Sequence, residues 1–223
     1  MSVEALDVYG SVCVGAFCFA NHSLAIIPDE APKKLQEALE ENLKVKVVRV
    51  KVADSPLVGI LVAGNENGIL LPRSALPEEV EVVKREGEGL NVEVVDSKRT
   101  ALGNLILAND KAALIHPDLT DREAKRVEDV LGVEVVRGAI AGIPFVGSTT
   151  LLNNRGLLTH PLAGEDELKW LEELFKVKAE GGTINHGSPL LRVGAVVNDH
   201  GALVGSLTTG LEIAKLERVL LAP

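Results

Sequence analysis

The chain has 223 residues, 46% of them hydrophobic, and a formal net charge of −9, an apolar content ample for a packed core. Two cysteines are too few for a secreted disulfide framework, and neither an 18-residue apolar span nor a leader with a cleavage site occurs. A soluble cytoplasmic protein is therefore expected, and the acidic balance argues against an affinity built mainly on phosphate contacts. One Gln, one Met and abundant Glu, Lys and Val point to adaptation to heat.

In chain order, Val3–Val8 reads as a strand. Gly15 then opens an apolar run that ends in a polar turn at Asn21, and Leu35, Ala38, Leu39 and Leu43 fall on one helical stripe. Gly59 opens a second copy, with its turn at Asn65 and Gly68, a strand ending at Pro72, and a β-branched strand over Leu90–Val95. In the third copy Gly103 leads to Asn109. Pro117 ends the following strand, Thr120 and Glu123 fit a capping box, and Ala124, Val127 and Leu131 form the stripe before a strand over Leu131–Val136. The fourth runs from Gly147 through Asn153, Gly156 and Pro161 to a helix carrying Leu168, Leu171 and Phe175. The fifth runs from Gly194 through Asn198 and Gly201 to a helix opened by Thr209 and Glu212, and it stops at Leu220–Pro223.

The five asparagines are spaced by 44, 44, 44 and 45 residues and the five glycines by 44, 44, 44 and 47. A fixed period in this range marks a repeat architecture. Each unit reads strand, strand, helix, strand, except that the fifth lacks its last strand. Val3 lies 12 residues before Gly15, as Val47 does before Gly59, so the N-terminal strand is expected to complete the last unit and close a ring without an open sheet edge. The expectation is one α/β domain over residues 1–223, a closed propeller of five pseudo-symmetric units. A propeller of four-stranded blades has a similar period but does not accommodate a helix in every unit.

Residues that carry chemistry are sparse. Cys13 and Cys18 lie five apart in a strand-like run, on opposite faces and inside apolar sequence, where inert thiols are expected. His116 and His160 occupy the same place in successive units and read as a repeated structural solution. His22, His186 and His200 form no metal-ligand spacing, and there is no CxxC or P-loop. Gly181, Gly182 and Gly187 mark a loop insertion where the glycine period stretches. Lys44, Lys46, Arg49 and Lys51, and Lys84, Arg85, Lys98 and Arg99, are two basic groups that read as solvated edges able to touch RNA locally.

Several stretches together resemble one family. Leu102-Gly103-Asn104, Ala108-Asn109-Asp110, Leu114–Leu119, Val133–Val135, Gly182–Asn185 and Gly194–Asp199 are similar to the translation initiation factor 6 family, in its archaeal form, over essentially the whole chain. The resemblance implies the pentein fold, a closed five-unit α/β propeller. It also implies a monomeric binding protein that sits on the intersubunit face of the large ribosomal subunit, near the sarcin–ricin loop, and keeps the small subunit from joining. No cofactor, metal, membrane or small-molecule substrate is implied.

The glycines at one end of the units are expected to lie on one rim and form a flat contact surface. The candidate ribosome-binding residues are Asn104, Gly103, Gly59, Ile60, Gly15, Gly147, Ser148 and Gly194. Asn104 leads because it is polar where Ala16, Ile60, Ser148 and Ala195 are small or apolar, and because the family is reported to contact the subunit at this motif. Its alternative role is to close a local turn. Asn21, Asn65, Asn109, Asn153 and Asn198 read as hairpin turn residues. His186 stands where eukaryotic relatives have Arg, and no function attaches to it. The competing class is an amidinotransferase- or deiminase-like enzyme, which shares the ring but carries its nucleophilic Cys near the C-terminus.

Overall fold

The computed structural model describes residues 2–222. Strand β1 (Ser2–Leu6) comes first. The first unit has a 3₁₀ turn over Val14–Ala16, then β2 (Phe19–Ala20), β3 (Leu24–Ile27), α1 (Lys33–Ala38) extended by a π-helical turn over Leu39–Leu43, and β4 (Lys46–Arg49). The second has α2 (Val58–Leu61), β5 (Ala63–Gly64), β6 (Gly68–Pro72), α3 (Pro77–Glu86) and β7 (Asn91–Val95). The third repeats this with α4 (Leu102–Leu105), β8 (Ile106–Ala108), β9 (Ala112–Ile115), α5 (Asp121–Leu131) and β10 (Glu134–Arg137). In the fourth, β11 (Leu151–Leu152), β12 (Gly156–Thr159), α6 (Glu165–Phe175) and β13 (Lys178–Gly181) follow a turn. The fifth has α7 (Leu191–Gly194), β14 (Ala195–Val197), β15 (Gly201–Gly205) and α8 (Gly210–Leu216), which continues as a π-helical turn over Glu217–Leu221.

These strands form five three-stranded sheets. In each, the first two strands are an antiparallel hairpin and the third runs parallel to the second, across the helix. The N-terminal strand completes the fifth sheet in the register read from spacing. Val3 pairs with Ala202, four residues after Asn198, as Val47 pairs with Ala25, four after Asn21.

The core lies between units. Leu35 and Ile27 of the first unit pack with Val196 and Leu203 of the fifth, and Phe19 and Ile26 pack with Ile69 and Val83 of the second. The junctions of the second with the third, third with fourth, and fourth with fifth units have equivalent clusters. One unit cannot bury its own apolar faces, and stacking neighbours does so at roughly 1.5–3 kcal/mol per large side chain.

Two local expectations are corrected. The run from glycine to asparagine is not one strand: a short helical turn precedes the strand at α2, α4, α7 and Val14–Ala16, leaving first hairpin strands of two or three residues. Cys13 and Cys18 therefore flank a 3₁₀ turn and do not alternate along a strand. The insertion is also narrower than the glycine count implied. Equivalent loops close with bridges Val8 to Ser11, Val52 to Ser55 and Ile140 to Ile143, whereas the fifth unit bridges Ile184 to Ser188 with one more residue. Gly187 lies in that loop, while Gly181 ends β13.

Candidate functional site

The turn glycines are where the units touch most closely. A Cβ on Gly59 would lie 1.9 Å from the Gly15 carbonyl oxygen, on Gly103 it would lie 2.1 Å from that of Gly59, and on Gly147 2.1 Å from that of Gly103. A Cβ on Gly15 would meet the carbonyl oxygen of Arg192 at 1.9 Å. The fifth member of this series is therefore Arg192, six residues before Asn198 as Gly147 is before Asn153. Its N–H donates to Ser148 O as the Gly147 N–H donates to Asn104 O. Gly194, the fifth glycine by sequence, instead packs against the side chains of Asn185 and Ile184. Counting glycines to glycines hid this, because the fifth unit has no glycine at the equivalent position.

Gly15, Gly59, Gly103, Gly147 and Ser148 are buried, so the glycines do not themselves form a flat exposed surface. Bare backbone is needed there for contact between units. Ile60 and Asn104 are partly exposed. The Asn104 N–H donates to Ala101 O, and its side chain makes no hydrogen bond among the described residues, so the amide is not occupied in closing a turn.

At the other end the asparagines do more than turn the chain. Each Oδ1 accepts N–H groups two and three residues on, as from Lys111 and Ala112 to Asn109. Each Nδ2 also donates to the backbone carbonyl of the next asparagine, from Asn21 to Asn65, Asn109, Asn153 and Asn198, and from Asn198 back to Asn21. In four units Nδ2 has a second acceptor near a helix end: Leu131, Phe175, Leu220 or Leu43. The following residues repeat the cycle: Glu66 N–H donates to Asp110, Asp110 N–H to Asn154, and Asn154 N–H to Asp199.

His22 joins the first and fifth units in this second layer. Its Nδ1 lies 3.1 Å from Glu66 and its Nε2 2.8 Å from Asp199. Burial alone would lower its pKa, but the hydrogen bonds to Asp199 and Glu66 outweigh burial and raise it to about 10. As an imidazolium both nitrogens donate to carboxylates, and the 3.2 Å approach of Asp199 N to Nε2 is a hydrogen bond only when the ring is neutral. A raised folded pKa gives stability that is complete below about pH 6.5 and is lost as pH rises through about 10. Denaturant titrations across this range should show that alkaline loss in the wild type and a flatter profile in His22→Gln.

Helix starts tie down the end that bears the glycines. Thr120 with Glu123 and Thr209 with Glu212 form the expected capping boxes. Glu79, Glu167 and Glu212 reach the N–H groups of Ala53 and Asp54, of Ala141, and of His186 and Gly187, turns that contain left-handed residues. Burial opposes ionisation of Glu212, but its hydrogen bonds from Thr209, Gly187 and Thr183 win and hold it at about 2. Its contribution is present above about pH 4.5 and is lost as pH falls towards 2.

All of the exposed large hydrophobics among the described residues lie at this same end: Tyr9, Leu57, Leu76, Phe145, Leu162, Leu190, Leu207 and Leu211. The reason is topological. The asparagine cycle puts every hairpin turn at one end, so connections leaving the second and third strands emerge at the other, and these residues occupy those connections or the helix starts after them. Leu57, Phe145 and Leu190, each two residues before the series Gly59, Gly147 and Arg192, are 40%, 47% and 45% exposed.

The remaining candidates are structural. His116 and His160 each accept, through Nδ1, the N–H two residues on, which is one repeated solution. Burial pushes the Cys18 thiol up to about 12, while Cys13 is partly exposed. Lys46 pairs with Glu86 and Lys51 with Glu30, and Arg49 binds the carbonyls of Asp29 and Ala31, so these three members of the first basic group are engaged along strand edges. In the second group Arg85 pairs with Glu86 and Arg99 with Asp118. No cluster of His, Cys, Asp and Glu among the described residues is arranged to hold a metal ion, and no helix is long and apolar enough to cross a membrane.

Comparison with known proteins gives a consistent result. The model of the eIF-6 family matches residues 3–219. Translation initiation factor 6 of Aeropyrum pernix is 49% identical over 222 residues, covering 98% of this chain and 95% of that protein. Proteins of the same name from Pyrobaculum arsenaticum and Pyrococcus horikoshii are 46% and 43% identical, with 98% and 99% of each chain covered. The chain belongs to the eIF-6 family and is a non-enzymatic translation initiation factor.

Proposed function

We propose that the protein binds the large ribosomal subunit through the end bearing the short helical turns, and sterically prevents the small subunit from joining. The observation that carries this reading is the segregation of every exposed large hydrophobic among the described residues to that end, which also bears the unoccupied Asn104 amide. Exposed large apolar side chains gathered at one end favour that end as an interaction site. A net charge of −9 suits contact with basic ribosomal proteins better than reliance on rRNA phosphates alone. The same reading takes residues 1–223 as one pentein domain, a closed propeller acting as a monomer in the cytoplasm, and the cyclic asparagine bonds and completed fifth sheet support it.

Co-sedimentation with purified large subunits tests it. Loss of one interfacial hydrogen bond in Asn104→Ser should weaken binding by roughly tenfold. Charge inserted into the apolar face by Phe145→Glu should weaken it by about thirtyfold or more. Glu88→Ala, exposed at the opposite end, should bind as wild type. Equal binding by all three variants would remove this end as the contact.

A further inference from the structure

The interior carries a charge that ribosome binding does not use. Arg192 extends from the fifth unit into the centre of the molecule, where Nη1 donates to the Gly103 carbonyl at 3.0 Å and Nη2 approaches that of Val62 at 3.5 Å. Its side chain borders a cavity of about 50 Å³ lined by the first hairpin strands of all five units. Arg192 as a residue is partly exposed, whereas protein surrounds its guanidinium.

Arg192 has no carboxylate partner among the described residues. Among the described residues the ionisable group that acts on it is the Cys18 thiol, which burial keeps protonated and therefore without countercharge. Burial pushes the guanidinium down to about 10, the direction expected of a cation that lacks compensation. A guanidinium has five N–H donors, and carbonyls occupy two of them, one at long range. Buried charges of this kind are paired or heavily penalised.

We propose that the cavity beside Arg192 binds a small monovalent inorganic anion of the size of chloride. One guanidinium against neutral walls balances a single negative charge, which sets the valence. The volume sets the size: at roughly 10–15 Å³ per water-sized centre, the space takes one halide with a few waters. Four of the five equivalent positions are glycine and leave no cation in the centre, so the site is specific to the fifth unit.

An anion that binds only the folded protein raises its stability by mass action. Thermal unfolding is compared in chloride and in gluconate, an anion too large for the cavity, at equal ionic strength. The wild-type midpoint should be higher in chloride by roughly 2–5 °C, and the difference should vanish in Arg192→Gly and Arg192→Met. Wild-type crystals grown in bromide should show an anomalous peak beside the guanidinium, which supports the site even if both variants fail to fold. No peak in bromide, or an equal chloride effect in a folded variant, overturns the proposal and leaves a cavity holding water.

Discussion

Gly59→Ala and Gly103→Ala are expected to lose most of the stability of the fold. The added Cβ would sit 1.9 Å from the Gly15 oxygen in one case and 2.1 Å from the Gly59 oxygen in the other, and both obstacles are backbone. A flexible side chain can swing away, but a carbonyl inside a packed junction moves only with its unit. Overpacking ordinarily costs about 1–3 kcal/mol, and a clash with fixed backbone belongs above that range, against a total stability of roughly 5–15 kcal/mol. Thermal or denaturant unfolding should show a large fall in midpoint or no folded protein. Gly210→Ala is the matched control: nothing lies within 4 Å of its added Cβ, and at the start of α8 alanine should be neutral or stabilising by up to about 1 kcal/mol. Equal, small effects at Gly59 and Gly210 would mean that the junction yields.

Asn109→Asp is expected to be nearly as damaging as Asn109→Ala. A residue that only turns a hairpin tolerates aspartate, because a carboxylate accepts the same N–H groups two and three residues on. Asn109 also donates from Nδ2 to the carbonyls of Asn153 and Phe175, and the side chain is buried. Aspartate would place negative charge against both oxygens, and alanine would leave them without a donor. Each unsatisfied buried group costs roughly 1–3 kcal/mol, so a loss of about 3 kcal/mol or more is expected in either variant. Denaturant midpoints that fall for alanine but not for aspartate would reduce Asn109 to a turn residue.

Much of this was legible in the sequence because it repeats. Spacing between asparagines located the hairpins, and the offset of Val3 placed the N-terminal strand on its partner in the right register. Thr120 and Thr209 announced their helix starts, and the equal positions of His116 and His160 announced equal bonds. What stayed hidden depends on distance between units. Nothing local distinguishes an asparagine that turns a chain from one that also clasps the next unit, and glycine at a rim and glycine at a junction read alike. Arg192 was within reach, since counting six residues back from Asn198 lands on it, but matching Gly to Gly led to Gly194. The proposed binding face was only partly legible: Asn104 stood out by polarity, whereas it took the topology to gather Leu57, Phe145 and Leu190 at the same end.

Inhibition of subunit joining is the decisive property of such a factor. Separated large and small subunits are mixed with increasing amounts of protein, and joined particles are quantified on sucrose gradients. Wild type and Glu88→Ala should deplete joined particles in proportion to occupancy of the large subunit, while folded Phe145→Glu should leave joining intact at the same concentrations. Undiminished joining at saturating wild-type occupancy would contradict it, as would full inhibition by Phe145→Glu.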